Sequence, residues 1–385
     1  TTTPAPLPAT MRAQHLTKFN APYSLSTTVP LPTLSSPLDL LIRVSAAGYC
    51  HTDAVLATGI LSPRMPPSLP HIGCHEFAGT VVRVPDSPAG AAAAFSPGDR
   101  VGVASLAYHP CGACSECAST GRYPQDDAAG FSVYCAQAGN LGLSLPGGWA
   151  EYAVVDAHQV VRLPEELTAL DTAPLMCAGV TVYAALRKAG LKRGQTVGIL
   201  GAGGGVGHLG VQFAAAMGLR VVAVEAADGP LEVVKGLGVC KARQKEDGEV
   251  IVVDARKTTA EDVRAQLATS DNIDEEARKG VDAVLLLPDS QRAFDYATTL
   301  LRDHGTMVVL SFPEKGFHLD ANAVVFRDIS VIGSLFGSIQ VAKEMLEFAA
   351  RHGVRAVART FGLEELNELV EANHAGGGGK FVVDL

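Results

Sequence analysis

Charged residues are scarce in this chain: Asp, Glu, Lys and Arg make up 18% of its 385 residues, while apolar residues make up 47%. That balance excludes a disordered chain and provides the apolar surface for a large core. Basic clusters are lacking too. Lys and Arg total 31 against 40 Asp and Glu, a net charge of -9, which argues against a nucleic-acid surface. No run of 18 uninterrupted apolar residues occurs, so no membrane span is expected. Residues 1–10 hold three prolines but neither a basic patch nor an apolar stretch. They read as a loose arm rather than a secretory leader, and a reducing, cytoplasmic location is expected.

Glycine and proline are plentiful, at 40 and 22 residues, which suits a sheet-rich protein with many tight turns. The length implies two to three domains of about 150 residues each. From 11 to 165 the sequence runs in short β-type segments, at 38–44, 80–84, 101–103, 150–155 and 160–163. Near 165 the texture changes. Helical spacing over 171–189 is followed by short apolar runs that alternate with helical stretches. The runs lie at 197–200, 221–224, 251–253, 283–287 and 307–310. Such alternation predicts a parallel sheet covered on both faces. Helices are predicted at 341–352 and 363–371, then a four-glycine turn at 376–379 and a short strand at 381–383.

Gly201-Ala-Gly-Gly-Gly-Val-Gly207 directly follows the run 197–200 and opens a predicted helix. Gly201, Gly204 and Gly207 give a G-x-x-G-x-x-G frame; Val206 breaks the strict G-x-G-x-x-G form, and Gly203 and Gly205 fill out the loop. Glycines here permit a tight turn and let the backbone approach a pyrophosphate at a helix N-terminus. Glu225 ends the next run, 24 residues after Gly201, where an acid would bond the adenosine ribose hydroxyls. No Lys or Arg occurs in the nine residues after it, and a 2′-phosphate would meet a like charge. NAD is expected over NADP.

Of the eight cysteines, Cys111, Cys114 and Cys117 recur at a spacing of three, which points to metal rather than to a disulfide framework. Cys50 stands in GYCHTD, His75 in GCHEFAG and Cys177 in MCAG. Two thiolates and an imidazole leave a fourth position open, as a catalytic zinc needs.

In the stretches GYCHTD, CHEFAG, CGACSEC, MCAGVTVY, GAGGGVGHLG and KFVVD, in that order, the sequence resembles the zinc-containing alcohol dehydrogenases of the medium-chain dehydrogenase/reductase superfamily. The resemblance runs from about residue 11 to 385. It implies an α/β fold in three stretches. A GroES-like β-rich catalytic domain comes first (1–178), a Rossmann domain with a doubly wound parallel sheet is inserted (179–320), and the chain then returns to the catalytic domain (321–385). It also implies reversible hydride transfer between a primary alcohol or aldehyde and NAD(H). Cys50, His75 and Cys177 would hold the catalytic zinc, with Glu76 beside it as an occasional fourth ligand and Asp53 orienting His75. Thr52 would take the alcohol proton. His51 and Lys380 would face the cofactor phosphates, and Thr181 the nicotinamide. Cys111, Cys114, Cys117 and Cys135 would hold a structural zinc, making two zincs per chain. The stretch 329–336 looks like the family's subunit-pairing edge, so a homo-oligomer, dimer or tetramer, is expected.

The chain departs from that pattern at four places. Cys74 replaces the usual Gly before His75. The loop from Cys50 to His75 is a few residues long for the family. Cys117 and Cys135 are 18 residues apart instead of eight, with Asp126, Asp127 or His109 as alternative fourth ligands. Val55 stands where many members carry a relay histidine. Cys74 is expected not to be a ligand, and Cys240 to be buried filler. Three other readings compete: an NADP-dependent aldehyde reductase of the same superfamily, a zinc-free reductase of that superfamily, and a member that binds cofactor without catalysis. Ethanol-specialised relatives place bulky aromatics over the zinc, where this chain has Leu61 and Ser105. Trp149, the only tryptophan, falls elsewhere. A roomier pocket and a substrate larger than ethanol are therefore expected.

Overall fold

The computed structural model describes residues 6–60, 67–118, 132–241 and 248–385. The start of the N-terminal arm (1–5), Leu61, Asp126 and Asp127 lie outside the described residues. Two large sheets organise the rest. The first has the order Ala358–Gly362, Lys380–Asp384, Asp39–Tyr49, Glu76–Arg83, Arg100–Ala104, Val160–Arg162, with Tyr152–Asp156 also paired to Asp39–Tyr49. Its pairings are antiparallel except that between Ala358–Gly362 and Lys380–Asp384. The second is wholly parallel, in the order Val250–Asp254, Arg220–Glu225, Thr196–Leu200, Val281–Leu286, Leu301–Val309, Ser330–Gly333. Thr196–Leu200 is buried at every position, as its apolar run predicts. Numbered from that strand, the order is 3-2-1-4-5-6. This is the dinucleotide-binding arrangement, whose crevice lies beyond the carboxyl ends of the strands where the order reverses.

The expected domain boundaries shift at two points. Helix Ala169–Lys188 runs across the boundary at 178. It packs against Asp39–Tyr49 and Glu76–Arg83 at its start and against helix Gly207–Ala216 further on, so it belongs to both halves. Its length and apolarity would suit a membrane span, but 72% of its apolar window is buried inside the protein, as in a core helix. The second shift is at 320. Ser330–Gly333, expected in the returning segment, pairs with Leu301–Val309 as the sixth parallel strand. Ile329 and Phe336 are buried there, while Val331 and Leu335 are exposed along the sheet edge.

Three elements were not legible in the sequence pattern. Thr10–His15 and Ser24–Pro30 form a separate antiparallel pair. Helix His51–Thr58 buries only Asp53 and Leu56, so it lacks the apolar stripe by which helices are recognised.

Candidate active site

Strand Asp39–Tyr49 delivers Cys50 at its end, and Cys50 is the N-cap of helix His51–Thr58. Asp53 closes that first turn. Its Oδ2 accepts the Cys50 backbone N–H at 2.9 Å, and its Oδ1 lies 3.1 Å from His75 Nδ1. Asp53 is fully buried, so one carboxylate fixes two of the candidate ligands. Cys177 comes from Ala169–Lys188. There Pro174 has no N–H for the helical ladder, and the helix widens to a π stretch at Leu175–Gly179. Cys177 Sγ lies 3.3 Å from His75 Nε2 and 4.0 Å from Cys50 Sγ. With a Glu76 oxygen, these ligand atoms lie within 4.8 Å of one another. A tetrahedral zinc with Zn–S near 2.3 Å sets its sulfurs about 3.8 Å apart, so the spacing fits. Hydrogen bonding from Cys177 holds Cys50 well below the ordinary thiol range, and His75 adds to the effect. Burial opposes a charge on His75, but Asp53 outweighs it and raises the imidazole. Thr52 Oγ1 lies 3.7 Å from Cys50 Sγ. His51 is exposed at the start of its helix, and Thr181 lies one turn beyond Cys177.

Glu76 has 0% exposure, and neither of its oxygens has a hydrogen-bond partner among the described residues. Gly48 makes room for it: a Cβ there would fall 2.0 Å from Glu76 Oε1. Lys380 Nζ lies 2.5 Å from the same oxygen and donates to the Tyr49 carbonyl at 2.7 Å. Burial is the largest influence on Glu76 and Lys380 opposes it, leaving the carboxyl pushed up to about 7. Two thiols and an imidazole at this spacing, with a carboxylate already balanced by Lys380 beside them, form a donor set that fits zinc.

Lys380, expected to face the cofactor phosphates, is ion-paired with Glu76 here. Its stem passes Gly205, whose Cβ would lie 3.0 Å from Lys380 Cδ, but its head turns into the metal cluster. The buried charge of Glu76 is the physical reason.

Cys74 stands outside the cluster, and its thiol donates to the Glu76 carbonyl oxygen at 3.4 Å. Its φ is +77°, a left-handed conformation that accounts for the glycine expected at this position. Trp149 backs the same segment. Its backbone N–H donates to the Gly73 carbonyl at 3.3 Å, and its ring stacks on Tyr49 with centroids 5.8 Å apart. Trp149 therefore supports the ligand-bearing turn.

A second cluster joins Cys111, Cys114, Cys117 and Cys135, whose sulfurs lie within 4.8 Å of one another. Cys111 to Cys117 and Cys114 to Cys135 each measure 4.0 Å, and Cys111 to Cys135 measures 3.7 Å, again close to a zinc tetrahedron's edge. Backbone N–H groups of Ala113 and Cys114 draw the Cys111 thiol down to about 6. His109 is engaged elsewhere, with Nε2 2.7 Å from Asp39 Oδ1. Cys240 is half-buried and in neither cluster.

The glycine loop follows Thr196–Leu200, and Val206 caps helix Gly207–Ala216. Gly203 is the position most confined by the protein: a Cβ there would fall 1.9 Å from the Pro230 carbonyl oxygen. Gly204, a fixed point of the sequence frame, has nothing nearer than 3.4 Å, so its bareness serves an approach from outside. Glu225 braces the loop as well as ending its strand. It accepts the Gly203 N–H at 3.0 Å and the Ala226 N–H at 2.8 Å. A base hidden by sequence distance stands close by. Arg256, just past the strand that pairs with Arg220–Glu225, is ion-paired to Asp228 at 2.7 Å and Asp254 at 2.8 Å. Only the strand order reveals it.

Residues 36–165 match the alcohol dehydrogenase GroES-like domain, and residues 205–351 match the zinc-binding dehydrogenase family. An alcohol dehydrogenase of Geobacillus stearothermophilus is 33% identical over 88% of each chain. Alcohol dehydrogenase 1 of Emericella nidulans is 33% identical over 93% of each chain. Among solved structures, the alcohol dehydrogenase of Aeropyrum pernix aligns at a TM-score of 0.79 and 27% identity, covering 97% of this chain and 100% of that one. Likeness at this level over nearly the whole length, in sequence and in fold, means that the chain belongs to the zinc-type alcohol dehydrogenases of the medium-chain dehydrogenase/reductase superfamily.

Proposed function

We propose that this alcohol dehydrogenase depends on zinc and moves a hydride reversibly between a primary alcohol or aldehyde and NAD(H). The observation that carries this reading is the convergence of Cys50, His75 and Cys177 beside the buried carboxylate of Glu76. A zinc ion held there would supply Lewis acidity to a substrate oxygen, with a nicotinamide dinucleotide to accept or donate the hydride. The chain's own part is to bind, orient and move a proton. Asp53 fixes the imidazole so that Nε2 faces the cluster. Thr52 has a hydroxyl that both accepts and donates, so it takes the substrate proton and passes one on. Val55 cannot titrate, which leaves exposed His51 or water to receive it.

Glu225 favours the ribose diol of NAD, and two acids already occupy Arg256, so that guanidinium is not waiting for a 2′-phosphate. Small Ser105 follows Ala104, the residue opposite Glu76 on the neighbouring strand, which supports a roomy pocket. The exposed Val325, Phe326, Val331 and Leu335 support a homo-oligomer. Six of the eight cysteines stand in two metal-type clusters, which suits a reducing, cytoplasmic location.

The test is metal analysis with steady-state rates on linear and aromatic alcohols, using NAD and NADP. Two zincs per chain and broad turnover with NAD are expected. A metal-free, inactive protein overturns the reading. Preference for NADP overturns the cofactor, and a sharp preference for ethanol overturns the pocket. Thr52→Val is expected to lower the rate about 10²-fold, and Thr52→Ser to leave it nearly unchanged.

A further inference from the structure

His208 lies in the first turn of helix Gly207–Ala216, and its side chain is fully buried. The chemistry above does not use it. Its Nδ1 lies 2.9 Å from the Gly204 carbonyl oxygen, and its Nε2 accepts the Val357 N–H at 3.0 Å. The second contact fixes the tautomer: Nε2 is bare, so the proton sits on Nδ1 and is donated to Gly204. Burial, with a smaller push from Lys380, brings the imidazole down to about 4, so it stays neutral near pH 7.

The Gly204 carbonyl also accepts the His208 backbone N–H at 3.1 Å. Two donors therefore pull one carbonyl along the helix. In a trans peptide the N–H points opposite to the C=O. The same pull turns the Gly205 N–H to the front of the helix, where a phosphate oxygen would be held.

The other ring nitrogen reaches residues 353–357. Gln212, one turn further along the helix, donates to the Arg355 carbonyl at 2.9 Å and accepts the Arg355 N–H at 3.3 Å. The Val357 carbonyl accepts the Lys380 N–H at 2.9 Å. The loop thus reaches the strand that closes the metal cluster through a hydrogen-bonded chain: Gly204, His208, Val357, Lys380.

We propose that His208 is a positioning residue for the dinucleotide: it orients the Gly204–Gly205 peptide and ties that loop to strand Lys380–Asp384. The inference rests on the nicotinamide dinucleotide reading above. It is tested by fluorescence titration of the metal-loaded full chain with NADH, with NADPH as a second probe, and by the melting temperature of each variant. His208→Leu removes both bonds and weakens NADH about tenfold. His208→Asn keeps a donor near the Nδ1 position and stays within about threefold. His208→Gln keeps only an acceptor near the Nε2 position and falls with the leucine variant. A filler role predicts otherwise: unchanged affinity in the leucine variant, or affinity that follows melting temperature rather than donor position. Either result overturns the proposal. If the leucine variant does not fold, the other pair decides, and glutamine binding as tightly as asparagine overturns it. A wild type that binds neither probe overturns the dinucleotide reading itself. Normal wild-type binding with unaffected variants overturns only the role of His208.

Discussion

The ammonium of Lys380 stands 2.5 Å from Glu76 Oε1, and both side chains are almost sealed from water, at 4% and 0% exposure. They belong to the two strands that flank the end of Asp39–Tyr49. Removing one partner of such a pair leaves the other charge uncompensated, at a cost of about 3–5 kcal/mol. Lys380→Met is expected to destabilise on that scale, and the double change Glu76→Gln with Lys380→Met to recover more than half of the loss. Denaturant titration of the single and double variants checks this. A double variant as unstable as the two single losses combined would show that the charges are not coupled.

Asp53 touches no substrate, yet it holds the Cys50 backbone and the His75 ring together. Asp53→Asn keeps the shape and presents an N–H₂ where one of two donors needs an acceptor. Zinc affinity is expected to fall about 10–100-fold, the usual effect of losing a ligand's hydrogen-bond partner. Competition against a chelator measures it, and unaltered zinc retention would remove Asp53 from this role.

Cys135 completes the second cluster, 3.7 Å from Cys111. Four thiolates close a tetrahedron and leave no site for a substrate. Cys135→Ser is therefore expected to lose about one zinc per chain and to melt earlier. The rate of the enzyme that remains folded should fall much less. Equal zinc content and equal melting temperature in the variant would contradict the assignment.

Cofactor choice is expected to need two changes rather than one. Glu225→Ser alone weakens NAD, because the carboxylate also braces the Gly203 and Ala226 N–H groups. Adding Asp228→Asn removes one of the two acids on Arg256 and leaves a guanidinium for the 2′-phosphate. The double variant should bind NADPH more tightly than either single variant in a fluorescence titration. Equal NADPH affinity in all three would show that Arg256 does not reach the site.

The parallel sheet was legible because strands such as Thr196–Leu200 are buried throughout and read as unbroken apolar runs. The cysteine triplet was legible because metal ligands recur at short spacing. What escaped depends on strand order or on burial that no local pattern states. Arg256 is remote from Glu225 in sequence and meets Asp228 only because the strands that precede the two residues are neighbours. The direction of Lys380 follows from the buried charge of Glu76, which lies on another strand. The apolar stretch 329–336 was read only as a pairing edge, and its place beside Leu301–Val309 as the sixth parallel strand follows from strand order.

Strand Asp39–Tyr49 pairs with Lys380–Asp384, and Lys380 reaches the Tyr49 carbonyl across 331 residues of chain. Ribosomes add about 5–20 residues per second, so the two partners emerge roughly tens of seconds apart. Throughout that interval the nascent protein presents Cys50, His75 and Glu76 without the cation that balances Glu76 and without one flank of their sheet. The Cys111 to Cys135 cluster spans only 24 residues and has no such wait. Biosynthesis is thereby expected to complete the two clusters at different times. Ribosome-arrested chains that stop before residue 380 are expected to retain about one zinc and released chains about two. Two zincs in the arrested chains would mean that the pocket forms without its last strand.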